Sequence, residues 1–255
     1  MSPLQEALQK LPSISLTEMD SIKLMERVDT KYVFKVELLP ELLQSLADKY
    51  RILEITGNRL TTYESLYFDC LLFDLYYKHH QGKMNRYKVR FRKYVESDLS
   101  FFEVKYKSNK GRTIKKRIKQ KDISLTLQND AADFLHKHTS IIASDIEAKI
   151  FVYYKRITLV NNNLTERVTI DLDLSYADLN SRTSKFENLV IVEIKQDKAS
   201  KSDMAALLKR KYVREGSISK YCLGIATLFE NIRSNNFKER INQFKKIQND
   251  IAASY

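Results

Sequence analysis

Between residues 86 and 92 hydrophobic and polar positions alternate strictly: Arg86, Lys88, Arg90 and Arg92 take every second place, with Tyr87, Val89 and Phe91 between them. A period of two predicts a β-strand with one apolar face and one cationic face. The parity recurs along the chain. Phe102, Val104 and Tyr106 alternate with Glu103, Lys105 and Lys107, and Ile114, Lys116 and Ile118 with Lys115 and Arg117. Val168, Ile170, Leu172 and Leu174 oppose Arg167, Thr169, Asp171 and Asp173, and Val192 and Ile194 oppose Glu193 and Lys195. Near the start, Arg27, Asp29 and Lys31 share one face, with Val28 on the other.

Turn residues divide these runs. Residues 86–119 read as a three-strand meander, turning near Ser97-Asp98 and between Ser108 and Gly111. Residues 51–56 and 60–70 pair around Gly57-Asn58, and 151–160 and 166–176 around an Asn-rich turn at 161–163. A further strand covers 188–196. Helical spacing marks 36–50, where Pro40 is tolerated only near the first turn, and 124–140, 201–212 and 217–232. Residues 73–81 are ambiguous, and 141–150 read as a short helical or irregular link. In the last segment Phe237, Ile241, Phe244, Ile247 and Ile251 form one stripe, read as docking on the domain's own core, with a partner-binding helix as the alternative. The expected fold is one α+β domain over 1–255, with at least eight mostly antiparallel strands and helices inserted and appended.

Composition narrows the partner. Lysine and arginine outnumber acidic residues 44 to 32, a net charge of +12, which points to nucleic acid, a membrane surface or a small polyanion. RNA would want aromatics among the cations for stacking, but Tyr87, Phe91, Phe102 and Tyr106 fall on the opposite face, so no nucleic acid is expected. Cys70 and Cys222 are too far apart in sequence for a CxxC site and fit a reducing compartment. No signal-peptide pattern and no run of roughly 18 apolar residues is present, so the expected location is cytoplasmic and no transmembrane segment is foreseen, though a membrane partner stays open. The sequon at Asn163 then reads as accidental. His79-His80 and His136-x-His138 lack further ligand types nearby and read as surface histidines. Five glycines, wrongly spaced, exclude a Walker A or dinucleotide-binding loop.

Two architectures accommodate the ionic faces. They either meet water on an ordinary sheet, or line the lumen of a sheet closed into a barrel. A like-charge pair 6–7 Å apart costs roughly 0.6 kcal/mol in bulk water and about 2.5 kcal/mol at an effective dielectric near 20, so a lumen requires anions and interspersed carboxylates. Glu103, Asp171, Asp173 and Glu193 have the phase to supply the carboxylates. Parity leaves both architectures open.

Taken in order, "ERVDTKYVF", Arg90-x-Arg92, "FFEVKYK", Arg156 in "YYKRITLV", "ERVTIDLDLSY", "VIVEIKQD" and "SISKY" resemble the VTC (vacuolar transporter chaperone) catalytic domain, the polyphosphate polymerase branch of the triphosphate tunnel metalloenzymes. The resemblance spans about 20–230 and leaves 231–255 as a C-terminal amphipathic helix. It implies a closed eight-stranded antiparallel β-barrel, surrounded by helices, whose tunnel binds triphosphate or polyphosphate with Mn²⁺ or Mg²⁺. Position by position, Lys31, Arg90, Arg92, Lys105, Arg156, Arg167 and Lys220 would be phosphate ligands. Glu193 would be the metal ligand, with Lys195 beside it. Lys115 and Arg117 join the phosphate-binding candidates, with a solvated basic strand as the alternative. Arg90, Arg92, Lys105 and Glu193 would carry catalysis, while Arg86 and Lys88 would sit at the tunnel's mouth. Asp171 and Asp173 read as counter-charges for Arg167, and Glu103 as a partner of Lys105. An N-terminal E-x-E-x-K signature is missing; Arg27, Asp29 and Lys31 stand in that phase. The reaction implied is transfer of the γ-phosphate of ATP onto polyphosphate. The alternatives are a metal-dependent tripolyphosphatase or nucleoside triphosphatase of the same fold, and a non-catalytic polyphosphate binder.

Overall fold

The structure, a computed structural model, describes residues 1–21, 27–198 and 200–249. Ile251 of the C-terminal stripe lies outside these. Eleven strands are found among the described residues: β1 (Ser13–Ile14), β2 (Arg27–Lys35), β3 (Tyr50–Leu53), β4 (Thr61–Cys70), β5 (Arg86–Tyr94), β6 (Leu99–Lys107), β7 (Thr113–Gln120), β8 (Ile146–Asn161), β9 (Glu166–Asp178), β10 (Thr183–Phe186) and β11 (Leu189–Asp197). The helices are α1 (Pro3–Lys10), α2 (Leu16–Ser21), α3 (Leu39–Gln44), α4 (Asp74–His80), α5 (Asn129–His138), α6 (Asp203–Arg210), α7 (Lys220–Leu228) and α8 (Asn235–Asn249).

Eight strands follow one hydrogen-bonded path, β2-β11-β9-β8-β4-β5-β6-β7, and every neighbour along it is antiparallel. The short strand β3 pairs with β8 and, in parallel, with β1, while β10 pairs with β9. The meander β5-β6-β7 turns where local chemistry permits a left-handed backbone, at Asp98 (φ 46°) and Gly111 (φ 73°).

The closed barrel is not formed. The sheet is a curved, open one, and no ladder joins β7 to β2 among the described residues. The physical reason lies at the β2 edge. Tyr32 makes an antiparallel bridge to Glu215, and Gly216 N–H donates to the Lys31 carbonyl at 2.8 Å, so the segment before α7 occupies the positions a closing strand would use. Curvature still brings the ends of the path together, because residues of β2 and of β5, β6 and β7 line one cavity.

The outer face of the sheet carries the expected apolar parity. Tyr32, Phe34, Val168, Ile170, Val192 and Ile194 pack under α1, α3 and α6, and Val89, Phe91, Phe102 and Val104 under α5. The inner face is divided. One part is ionic, and the other is filled by α7, whose Tyr221, Cys222, Leu223 and Ile225 bury against Tyr67, Ile150, Val152 and Tyr176. An apolar plug on the inner face is not foreseen by a lumen lined only with charge. The C-terminal stripe docks on this same core through Ile241, Phe244 and Ile247. Residues 73–81 resolve into α4, and 146–150 belong to β8 rather than to an irregular link. Among the described residues no helix is long and apolar enough to cross a membrane.

Candidate functional site

Strand register sorts the ionic residues into rows across the inner face. Lys105 lies directly opposite Lys88 on one side and Lys115 on the other. Glu103 lies between Arg90 and Arg117 in the same way. Around the sheet, Glu193 sits opposite Lys31 and Thr169, Lys195 opposite Asp29 and Arg167, and Arg156 opposite Asp171.

The arginines are largely spoken for. Arg90 sends Nε and Nη2 to Glu103 Oε2 at 2.8 and 2.6 Å, and its Nη1 donates to the Tyr67 hydroxyl at 2.6 Å. Arg156 grips Asp171 bidentately at 2.6 and 2.9 Å, and Lys220 donates to the same carboxylate. Arg92 is buried, bonds Ser65 Oγ at 3.2 Å and stands 5.5 Å from the Tyr63 ring. Arg167 donates to the Met19 carbonyl at 2.7 Å, and Arg117 lies 4.4 Å over the Phe101 ring while facing solvent. Burial would raise the carboxyls of Glu103 and Asp171, but Arg90 beside the first and Arg156 beside the second outweigh it. Asp171 falls to about 2, and Glu103 is lowered as well.

The lysines are arranged differently. Cross-strand neighbours on one face have Cβ atoms roughly 5 Å apart, and two cations held at that spacing would repel by about 3 kcal/mol at an effective dielectric near 20. The row Lys88–Lys105–Lys115 places three side by side. Lys115 turns to Glu103, and Lys88 donates to Ser219 Oγ at 2.9 Å. Lys105 is reached by water from the cleft, yet its enclosure there and then the charge of Lys88 pull its ammonium down to about 8. Lys115 is likewise lowered to about 8, by burial and then by Arg90 despite the help of Glu103. Burial, with Arg86 and Arg90, lowers Lys88 too.

Lys88 and Lys105, but not Lys115, face a cavity of about 520 Å³, lined also by Asp29, Lys31, Arg86 and Lys107, with Glu215 to Ser219 forming one wall. Expectation and structure differ here. Lys31 and Lys105 line the cavity, and so do the two residues assigned to its mouth, Arg86 and Lys88. Arg90, Arg92, Arg156 and Lys220 instead form a carboxylate-braced, tyrosine-backed layer, with Arg156 4.8 Å from the Tyr63 ring and Lys220 4.7 Å from Tyr154. Glu103 partners Arg90 and Lys115, not Lys105. Asp171 pairs with Arg156, not Arg167. Asp173 leaves the inner face altogether: a register shift between Tyr153 and Lys155, matched by a left-handed Asp173 (φ 54°), turns it toward exposed Lys155 at 3.0 Å. His79 is no surface residue but part of the cavity wall. Its helical neighbour His80 meets Phe237 of α8 edge-on, a placement that no local sequence signal announces.

Glu193, the candidate metal ligand, has Lys31 Nζ at 2.9 Å and Lys195 Nζ at 3.2 Å, both on the same oxygen. Burial works against its charge, but Lys195 and Lys31 hold the carboxyl well below its usual range. Among the described residues no group of three His, Cys, Asp or Glu side chains could hold a metal. The donor set therefore fits only a hard cation that brings most of its oxygen ligands with it, as a phosphate-bound divalent ion does.

A family model described as the VTC domain matches residues 26–229, and the chain belongs to that family. No curated protein matches the sequence. Among solved structures, the chain is similar to a Vibrio parahaemolyticus protein described as an adenylate cyclase candidate (14% identity, 79% of this chain and 99% of that one, TM-score 0.47). It is similar also to a conserved Pyrococcus furiosus protein (12%, 78% and 100%, 0.45). A third is a Hippeastrum adenylyl cyclase candidate described as having a dominant triphosphatase activity (11%, 81% and 98%, 0.49).

Proposed function

We propose that the cleft carries out metal-dependent phosphoryl transfer, adding the γ-phosphoryl group of ATP to the end of an inorganic polyphosphate chain. The observation that carries this reading is the lysine row. Lys88, Lys105 and Lys115 stand side by side across three strands, the first two lining one cavity with Lys31, and the ammonium groups of that row are depressed, so the ligand-free site is short of negative charge. A polyphosphate supplies what is missing. Membership of the VTC family supports the same chemistry.

In this reading a terminal phosphate oxygen of the chain attacks the γ-phosphorus in line. The bond from that phosphorus to the β–γ bridging oxygen breaks, and its electron pair leaves with ADP. Little covalent help is needed beyond positioning and charge neutralisation. Lys31, Lys105 and Lys88 neutralise the transferring oxygens as point charges. Arg90 and Arg92, with Arg156, Arg167, Lys195 and Lys220, hold the flanking phosphates, and Arg90 and Arg156 are pre-oriented by Glu103 and Asp171. Lys115 and Arg117 line the outlying stave. Glu193 would contribute one oxygen to a Mn²⁺ or Mg²⁺ held mainly by the phosphates, which would draw charge from the γ-phosphoryl group.

The test is purified protein with ATP and Mn²⁺ or Mg²⁺, its products sized by gel. Chains that disappear on polyphosphatase treatment are expected, and Lys105→Ala should lower kcat/KM by roughly 100-fold, the scale of losing one preorganised charge. Release of free phosphate alone would make the protein a triphosphatase instead. No turnover with intact polyphosphate binding would make it a binder.

A further inference from the structure

We infer that His79 is a phosphate contact of the cleft, engaging the bound polyanion as an imidazolium. This rests on the reading of the cleft as a polyphosphate site and adds to it a ligand of a different chemical kind.

His79 closes the last turn of α4 and lines the cavity beside Arg86, Lys88 and Lys105. Its ring lies on Phe237 of α8, with centroids 6.3 Å apart and planes 21° from parallel. Nδ1 is sealed from bulk water and has no hydrogen-bond partner among the described residues. Buried polar atoms are nearly always bonded, so an unmet ring nitrogen at the wall of an ionic cavity is bonding capacity reserved for a ligand. Nδ1 is closed off in the free cleft, so a phosphate oxygen meets it only as the ring and the cavity wall it belongs to shift on binding of the polyanion.

Charge fixes the form in which it engages. Without ligand, burial and then Lys88, Arg86 and Lys105 hold the imidazole down to about 2, with His80 adding to the effect on α4 itself. Lys31 and Lys107 also line the cavity, and among the described residues lining it Asp29 and Glu215 are the carboxylates that oppose them. The free site therefore holds a neutral ring. A triphosphate among the same groups reverses the sign of the local potential, and its negative charge then works against the burial that remains, raising the imidazole and stabilising its protonated form. One proton then enters from water as the ligand binds, and both ring nitrogens become donors. No covalent bond changes in this step.

The experiment is NMR of full-length protein labelled with ¹⁵N-histidine, titrated in pH with and without inorganic tripolyphosphate, His79→Asn identifying the resonance. The His79 ring should remain neutral down to pH 5 when free and titrate between about 5.5 and 7.5 when bound. Affinity for tripolyphosphate should rise about tenfold more between pH 7.5 and 5.5 in the wild type than in His79→Asn, since the ligand's own protonation is common to both. A ring that stays neutral at pH 5.5 in the complex, or equal pH slopes for the two proteins, would overturn the inference while leaving the phosphate site intact. Absence of tripolyphosphate binding to the wild type would overturn the phosphate reading of the cleft, and this inference with it.

Discussion

Asp171 shows how much a single inner-face carboxylate holds in place. It is 2% exposed and receives both a bidentate Arg156 and Lys220, joining β8, β9 and the first residue of α7. Replacing it by Asn removes the counter-charge and leaves Arg156 partly buried, a change that typically costs 3–5 kcal/mol. Urea unfolding of Asp171→Asn should show a loss of about that size, partly restored by tripolyphosphate, which returns negative charge to the same cations. The pH dependence has a definite sign. The folded carboxyl titrates near 2 against an ordinary value of 3.8, so its stabilising share is complete above about pH 4 and is lost as the pH falls toward 2. At this scale the sequence was informative about faces but not about partners. Parity put Glu103, Lys105, Asp171 and Glu193 on the inner face; which cation each carboxylate meets depends on strand register, which parity does not contain. Asp173 was misplaced because one bulge inverts the count for every residue beyond it.

Among the elements, α7 is the one that converts a basic sheet into a site. Ser219 caps its N-terminus by accepting from Cys222 N–H, and the same hydroxyl accepts from Lys88. The helix lies so close to the sheet that a Cβ on Gly224 would come within 2.5 Å of Tyr176 and 2.7 Å of Ile150. Gly224→Ala therefore overpacks a rigid contact, and a loss of roughly 1–3 kcal/mol is expected by chemical denaturation. Because the displaced helix carries Ser219 and Lys220, tripolyphosphate affinity should fall as well; unchanged affinity would show that α7 merely covers the sheet. The helix itself was legible at 217–232 from its apolar spacing. Its place on the inner face was not, because a nearly all-apolar helix gives no indication of which buried surface it will meet. The extra strands β1 and β10, two and four residues long, were too short to register as periodic segments.

For the whole molecule, the crowding of cations makes a prediction about pH and ligand together. Lys105 and Lys115 bind protons less readily in the fold than in the unfolded chain, near 8 against an ordinary 10.5. The unfolded state therefore holds more protons, and ligand-free stability should rise from pH 7.5 to 9, before Cys222, pushed up by burial, begins to matter. Tripolyphosphate at 100 times its Kd should stabilise by about 2.7 kcal/mol at neutral pH and flatten that slope, because the bound anion keeps the lysines charged as they are in the unfolded chain. Equilibrium unfolding in urea at several pH values, with and without ligand, measures both effects, and equal slopes would contradict the electrostatic account of the cleft. Antiparallel α+β architecture and the eight-strand path were legible in the repeated two-residue period. Closure was not, since it depends on what reaches the β2 edge, and what reaches it is a loop 183 residues further along the chain, from Tyr32 to Glu215.

That loop sets when the cleft takes shape. Glu215 and Gly216 seal β2, and Ser219 ties down Lys88 of β5, so two walls drawn from the first hundred residues acquire their final spacing from a segment made much later. Chains emerge from the ribosome N-terminus first. The basic strands are thus exposed to polyanions well before the cleft exists, and the inner face becomes a defined site only once Glu215 to Ser219 have been made.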